Sequence, residues 1–307
     1  MLRTHVAAAA LIAVATQASA ACTSVSFSDV GWTDITATTA AATAVLGALG
    51  YETSVKVLSV PVTYASLARG DIDVFLGNWM PTMEADVRPY LDAKTVEDLG
   101  PNLTGAKYTL AVPAYVHAAG LKDFADIAKF GDKLDHKIYG IEPGNDGNRL
   151  ILDMIAKDQF GLGKFKLVES SEQGMLAQVK RAVRGAEDIV FLGWEPHPMN
   201  ANVEMAYLTG GDDVFGPDFG GATVHTNTRA GLSAECPNVG KLLDNMDFTL
   251  KMENEIMGGI LDDGKSPDVA AKSWLVANPA ILDAWLAGVT TLDGKPGLPA
   301  VKTALGL

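Results

Sequence analysis

Residues 25–30, V-S-F-S-D-V, alternate apolar and polar in the period of a half-buried strand. The loop Gly31-Trp32-Thr33-Asp34 then leads into ITATTAAATAVLGALG at 35–50, a helical run of small and apolar residues. Asp34 has the chemistry of a helix N-cap, and Gly50 can end the helix in a left-handed conformation. A valine-rich strand is expected over 54–60, a helix over 64–68 and a buried strand over 72–76. Such a βαβαβ order with short connections implies a largely parallel sheet with helices on both faces.

The pattern returns later in the chain. A strand is expected over 137–141, followed by the loop Glu142-Pro143-Gly144-Asn145-Asp146-Gly147 and a helix from Asn148 to 161. A strand over 166–169, a helix over 171–185 with Leu176, Val179 and Val183 on one side, and a buried strand over 189–192 complete the second set. Two phrases reinforce the equivalence. DVFLGNWMP occupies 73–81 and DIVFLGWEP occupies 188–196, each preceded by a helical stretch closing on Arg-Gly. Each tryptophan thus falls at the carboxyl end of a third parallel strand, where ligands bind in open α/β sheets. Between the two sets, 108–113 leaves the first as an apolar strand and 221–227 leads back. If the last 80 or so residues rejoin the first set, two strands cross between two lobes and form a hinge. The expected division is lobe I at 21–111 plus 221–307 and lobe II at 112–220.

Length and composition agree with two domains: 307 residues, 48% of them hydrophobic and 20% charged, is ample core material for a folded chain. The first twenty residues read as a secretory signal, with Arg3 at the start, a short apolar run and Ala18-Ser19-Ala20 as a small-x-small cleavage site. No later run reaches the ~20 apolar residues of a membrane span. A formal charge of −13 argues against nucleic acid and favours encounter with cations. Cys22 and Cys236 are the only cysteines. In an exported chain they read most simply as one disulfide, with a lipid-modified Cys22 as the rival reading. His117, His136, His197 and His225 are scattered without metal-ligand spacing, so no metal and no cofactor are expected.

The loops at the strand ends gather Trp32 with Asp34, Trp79, Asn145 and Trp194, three of the five tryptophans. Trp274 and Trp285 sit in a helical C-terminal segment and read as packing residues. A single tryptophan beside proline commonly covers a core edge. Three at equivalent strand ends suit a quaternary ammonium, which has no N–H to direct at a carboxylate. Its charge is held by the negative faces of aromatic rings, at about 0.5–2 kcal/mol per contact. Asp34 read as a cap and Asn145 read as a turn residue remain alternatives to ligand contact. Glu195 and His197 read as solvated or hydrogen-bonded loop residues, and Glu84, Asp86 and Glu97 as wet surface. A secreted hydrolase of quaternary-ammonium esters would need an activated nucleophile, and the chain carries no G-x-S-x-G elbow.

GWTDI at Gly31, GNWMP at Gly77, YTLAVPAY at Tyr108, EPGNDGN at Glu142 and FLGWEPHPMN at Phe191 resemble the glycine betaine/choline substrate-binding proteins of bacterial ABC importers. The resemblance spans essentially the whole chain after the leader, both cysteines included. It implies an α/β bilobal periplasmic-binding-protein fold (type II, Venus-flytrap), with two Rossmann-like lobes joined by a two-strand hinge. It further implies an aromatic box of Trp32, Trp79, Tyr108 and Trp194 around a trimethylammonium, with Asp34 and Asn145 on a choline hydroxyl. From the sequence itself, Tyr64 and Tyr115 are as eligible as Tyr108. The implied partners are choline, with acetylcholine weaker, and the membrane permease of an importer. A periplasmic monomer is expected.

Overall fold

The computed structural model describes residues 22–307, so the expected leader and the start of the mature chain lie outside the described residues. In the first half, β1 (Ser24–Asp29), α1 (Thr33–Ala48), β2 (Glu52–Val57), α2 (Val60–Arg69), β3 (Val74–Met80) and α3 (Glu84–Asp92) lead into β4 (Val96–Pro113). The second half holds β5 (Lys137–Tyr139), α4 (Asp146–Ala156), β6 (Lys166–Val168), α5 (Glu172–Gly185), β7 (Phe191–Glu195) and β8 (Met205–Tyr207). Strand β9 (Gly221–Arg229) returns to the first half, where α6 (Leu250–Leu261) and α7 (Pro267–Ala277) follow.

The strands form one sheet in the order β2-β1-β3-β9-β4-β7-β5-β6, with β8 paired to β4. At one end β1 lies parallel between β2 and β3, and at the other β5 lies parallel between β6 and β7. The two long strands β9 and β4 run antiparallel to each other, to β3 and to β7, and so join the parallel groups. The repeated phrase therefore does mark equivalent strands, β3 and β7, of two similar halves. Both copies end in a cis peptide bond before proline, at Met80-Pro81 and Glu195-Pro196.

Boundaries moved in consistent ways. Strands β3 and β7 begin two residues later than expected and extend further, so Trp79 and Trp194 lie within strands rather than in the loops after them. Strand β4 is 18 residues long, three times the stretch expected. Its first part, V-E-D-L-G-P-N-L-T-G-A, is too polar and irregular to read as a strand, and bulged pairing with β9 recruits it. Helix α1 begins at Thr33 with Trp32 in the N-cap position, so Asp34 is not the cap.

Helix α1 is buried on most sides, because its alanines and threonines let α6 and α7 pack closely on the face away from the sheet. Strand β3 also comes close, and an added Cβ at Gly77 would lie 2.7 Å from the Ile35 side chain. Trp285 is buried and meets Phe248 edge-on, while half-buried Trp274 donates to Glu255, both in packing roles. Among the described residues, no helix is long and apolar enough to cross a membrane.

Cys22 and Cys236 are disulfide-bonded, with Cα atoms 5.4 Å apart and a sequence separation of 214. Closing so long a loop constrains the unfolded chain by roughly 5 kcal/mol in the chain-entropy model. Alkylation of the unfolded protein should label no cysteine without reductant and two after reduction, and reduction should lower the melting temperature. Two labelled thiols in the unreduced protein would contradict the bridge.

Candidate functional site

Strand β7 pairs with β4 so that Tyr108 and Trp194 are direct partners, which puts both side chains on one face. Their rings meet edge-on with centroids 6.3 Å apart. On the other side of Tyr108 stands Trp79, from the end of β3, with ring centroids 5.9 Å apart. Trp32 enters from the turn between β1 and α1. These four aromatic residues line one small cavity together with Asp34, Asn145, Ile141 and Asp146. All six residues expected at the site are thus gathered around one cavity. Tyr64 and Tyr115 are not. Tyr64 is buried, stacks on Tyr90 and donates to Asn227, while Tyr115 donates to the Glu187 carbonyl.

The polar groups are held in fixed directions. Trp79 Nε1 donates to Asp34 Oδ2 at 3.1 Å, and Trp32 Nε1 donates to Glu142 Oε1 at 2.7 Å. Asn145 is the N-cap of α4, its Oδ1 accepting from Asn148 N–H at 2.9 Å. The same oxygen accepts from the Tyr108 hydroxyl at 2.9 Å, so the cap also positions an aromatic wall. The approach is close: a Cβ at Gly147 would lie 2.1 Å from the Tyr108 oxygen, so that position admits only glycine without displacing the ring. Asn145 Nδ2 donates to Asp146 Oδ1 at 3.0 Å, which leaves one amide hydrogen free. Asp34 Oδ1 is buried without a hydrogen-bond partner. One free donor and one free acceptor are the complement of a hydroxyl group.

The cavity is an acidic place. Burial pushes the Asp34 carboxyl up to about 8, with the charge of Glu172 adding to the effect. Burial likewise raises Asp146 to about 6 and Glu142 to about 7. None of the eight lining residues is Lys, Arg or His. Arg149, in α4 shortly after Asn145, is engaged elsewhere. It donates to Asp86 at 2.7 Å and to the Thr82 carbonyl at 3.0 Å. Asp86 is therefore an ion-pair partner rather than wet surface, with its side chain 15% exposed. A site with carboxyl groups, aromatic faces and no base accommodates a bulky cation, since such a charge restores what burial takes from the carboxylates.

Three participants were not singled out in the sequence. Asp146 and Ile141 line the cavity, and Glu142 holds Trp32. Asp146 had one legible signal, an acidic residue in the first turn of a helix. His197 follows the hydrogen-bonded rather than the solvated reading, since it is buried in the loop after β7 and pairs with Glu172. Among the described residues, no group of His, Cys, Asp or Glu is arranged to hold a metal ion.

Comparison with known proteins places this geometry. The family described as substrate binding domain of ABC-type glycine betaine transport system matches residues 23–277. An ABC-transporter choline binding protein in complex with choline is 67% identical, covers 93% of this chain and 99% of its own, and superposes with a TM-score of 0.92. A structure of an ABC-transporter choline binding protein in an unliganded semi-closed conformation has the same identity and coverage and a TM-score of 0.86. Lactococcal OpuAC, closed on glycine betaine, is 28% identical, covers 85% of this chain and 98% of its own, and gives a TM-score of 0.77. Substrate-binding proteins of such importers work outside the cytoplasm. The chain belongs to the family of substrate-binding domains of ABC-type glycine betaine transport systems.

Proposed function

We propose that this protein binds choline outside the cytoplasm and delivers it to the permease of an ABC importer. The observation that carries this reading is the cavity itself. Four aromatic residues line it beside a carboxylate oxygen with no partner, and no basic side chain is among them. Trp32, Trp79, Tyr108 and Trp194 hold the trimethylammonium, Asp34 accepts the choline hydroxyl proton, and Asn145 donates to its oxygen. The superposition is better on the choline-bound relative than on the unliganded one, which fits a closed arrangement. Residues 21–111 with 221–307 form one lobe and 112–220 the other, β4 and β9 being the hinge strands between them. Residues 1–20 export the chain to the periplasm, where it acts as a monomer.

The protein is a binder and not a choline-ester hydrolase. His197, the histidine nearest the aromatic site, accepts the Met199 N–H on Nδ1 and meets Glu172 through Nε2. Neither ring nitrogen is left to activate a nucleophile.

The ligand order follows from charge. Glycine betaine carries a carboxylate that needs donors, and here it would face either the ionised Asp34 at short range or an Asp34 kept protonated against the pull of the neighbouring ammonium. Acetylcholine keeps the cation but has no hydroxyl to donate. Calorimetry should rank choline first, acetylcholine weaker and glycine betaine last, and Asp34→Asn should weaken choline while narrowing the gap to glycine betaine. Glycine betaine bound as tightly as choline by the wild-type protein would overturn the assignment.

Replacing Trp79 or Trp194 by alanine should each weaken choline by more than about 1 kcal/mol. Both side chains are buried, so the melting temperature of the ligand-free protein should fall as well, and the loss of affinity in the folded variant is the deciding readout. A variant that loses stability and keeps its affinity would show that its tryptophan is only core.

Binding should also depend on pH in a defined direction. With the Asp34 carboxyl raised to about 8, the empty site holds a proton at neutral pH. A bound cation favours the ionised form, so binding expels that proton. Affinity should therefore rise with pH up to about 8, by at most tenfold per unit for one proton, and level off above it. Calorimetry in buffers of different ionisation enthalpy should count the released proton, and Asp34→Asn should reduce the count. A pH-independent affinity between 6 and 8 would contradict the raised value.

A further inference from the structure

Helix α1 begins without a side-chain cap of its own. Trp32 occupies the N-cap position and supplies no hydrogen bond to the helix start. The need is met from the second half of the chain. Glu172, at the start of α5 and 139 positions away in sequence, accepts the Thr33 N–H through Oε2 at 2.8 Å. Its Oε1 accepts the Thr33 hydroxyl at 2.5 Å. Thr33 stands between Trp32 and Asp34, so this carboxylate grips the one residue flanked by two site residues. Glu172 is buried and lies at the N-termini of two helices at once, where both dipoles favour negative charge.

The same carboxylate reaches the opposite wall of the site. His197 Nε2 lies 3.3 Å from Glu172 Oε1. Its Nδ1 accepts the Met199 N–H at 2.9 Å, which leaves the proton of the neutral ring on Nε2, pointing at Glu172. The imidazole in turn meets Trp194 edge-on, with centroids 4.9 Å apart. One buried carboxylate therefore connects the backbone that carries Trp32 and Asp34 with the ring that supports Trp194.

We infer that Glu172 is a positioning residue, a cap supplied to α1 across the cleft, which holds Trp32 and Asp34 against the ligand only while the two halves are closed. In the open form α1 loses this cap, and its first turn, with both site residues, is less firmly held. The cap therefore acts after the ligand has entered, and it slows escape more than it speeds entry. The inference rests on the site binding a quaternary ammonium, and its test separates the two claims.

Association and dissociation rates follow from tryptophan fluorescence of the full chain in stopped flow, with choline and with glycine betaine in parallel. Glu172→Gln should speed dissociation by about tenfold, the scale of a lost charge-assisted hydrogen bond, and change association by less than about twofold. Thr33→Val should speed dissociation by about threefold, and the double variant by less than the product of the two effects, because the two residues share the interaction. Thr33→Ser keeps the hydroxyl and should restore the wild-type rate. Should Glu172→Gln fail to fold, the Thr33 pair carries the test alone. Unchanged dissociation in the variants, or a loss of melting temperature with unchanged rates, overturns the cap. If the wild-type protein binds glycine betaine and not choline, the choline assignment falls and the glycine betaine rates decide the cap. If it binds neither, both claims fall.

Discussion

The arrangement turns on a carboxylate that the protein buries and does not fully pair. Asp34 spends one oxygen on the Trp79 indole and keeps the other without a partner, behind a wall of rings. Leaving a buried acceptor unpaired costs on the order of 1–3 kcal/mol, and more when it is charged. Holding the proton relieves part of that cost, which is why burial raises the carboxyl so far. The aromatic faces around it cannot compensate the anion, because their own faces are negative. Anion and rings share one deficit, and a single cation resolves it for both.

The sheet brings the parts of that deficit together. Trp79, Tyr108 and Trp194 come from three strands separated by dozens of residues, and they meet because β9 and β4 run between the two parallel groups. The Tyr108–Trp194 pairing fixes two walls in one register step, and Asn145 fixes the tyrosine hydroxyl from α4. The first half supplies Trp32, Asp34 and Trp79, while the second supplies Asn145, Asp146 and Trp194. Neither half alone surrounds a cation. The C-terminal helices and the Cys22–Cys236 bridge anchor α1 and β1 from behind, so the site residues at their junction sit on packed elements.

How much of this was legible depends on the range over which each feature is encoded. The repeated phrase is local, so Trp79 and Trp194 could be read with their topological role before any coordinates. Trp32 and Asn145 followed from their places after first strands of each set. Tyr108 did not, because the strand read over 108–113 carries no sign of its pairing with β7, which sets Tyr108 opposite Trp194. Its distinction from Tyr64 and Tyr115 is a matter of register, which composition does not encode. Asp34 was legible as a site residue, and only its alternative reading as a cap fails, since Trp32 holds the N-cap position and Glu172 accepts the Thr33 N–H from the second half. Glu142, Asp146 and Glu172 were missed for one reason. A carboxylate in a loop or first helical turn looks solvated until the opposite half of the fold covers it.

Cation selectivity follows from the same chemistry. A sodium or potassium ion surrenders strong hydration on entering a pocket, and rings with one carboxylate oxygen return little of it. A primary ammonium such as a lysine side chain loses directed hydrogen bonds that three indoles and a phenol face do not replace. A quaternary ammonium has no N–H to satisfy, and its methyl groups gain from leaving water. The price of entry is thus lowest for the ion whose charge is buried under carbon. Its attraction to ring faces also grows as water is excluded. Closure of the two halves, as proposed, would remove that water, so discrimination among cations and closure would draw on one free energy. A cation that cannot seat against the rings would leave Asp34 uncompensated and would give the halves no reason to close.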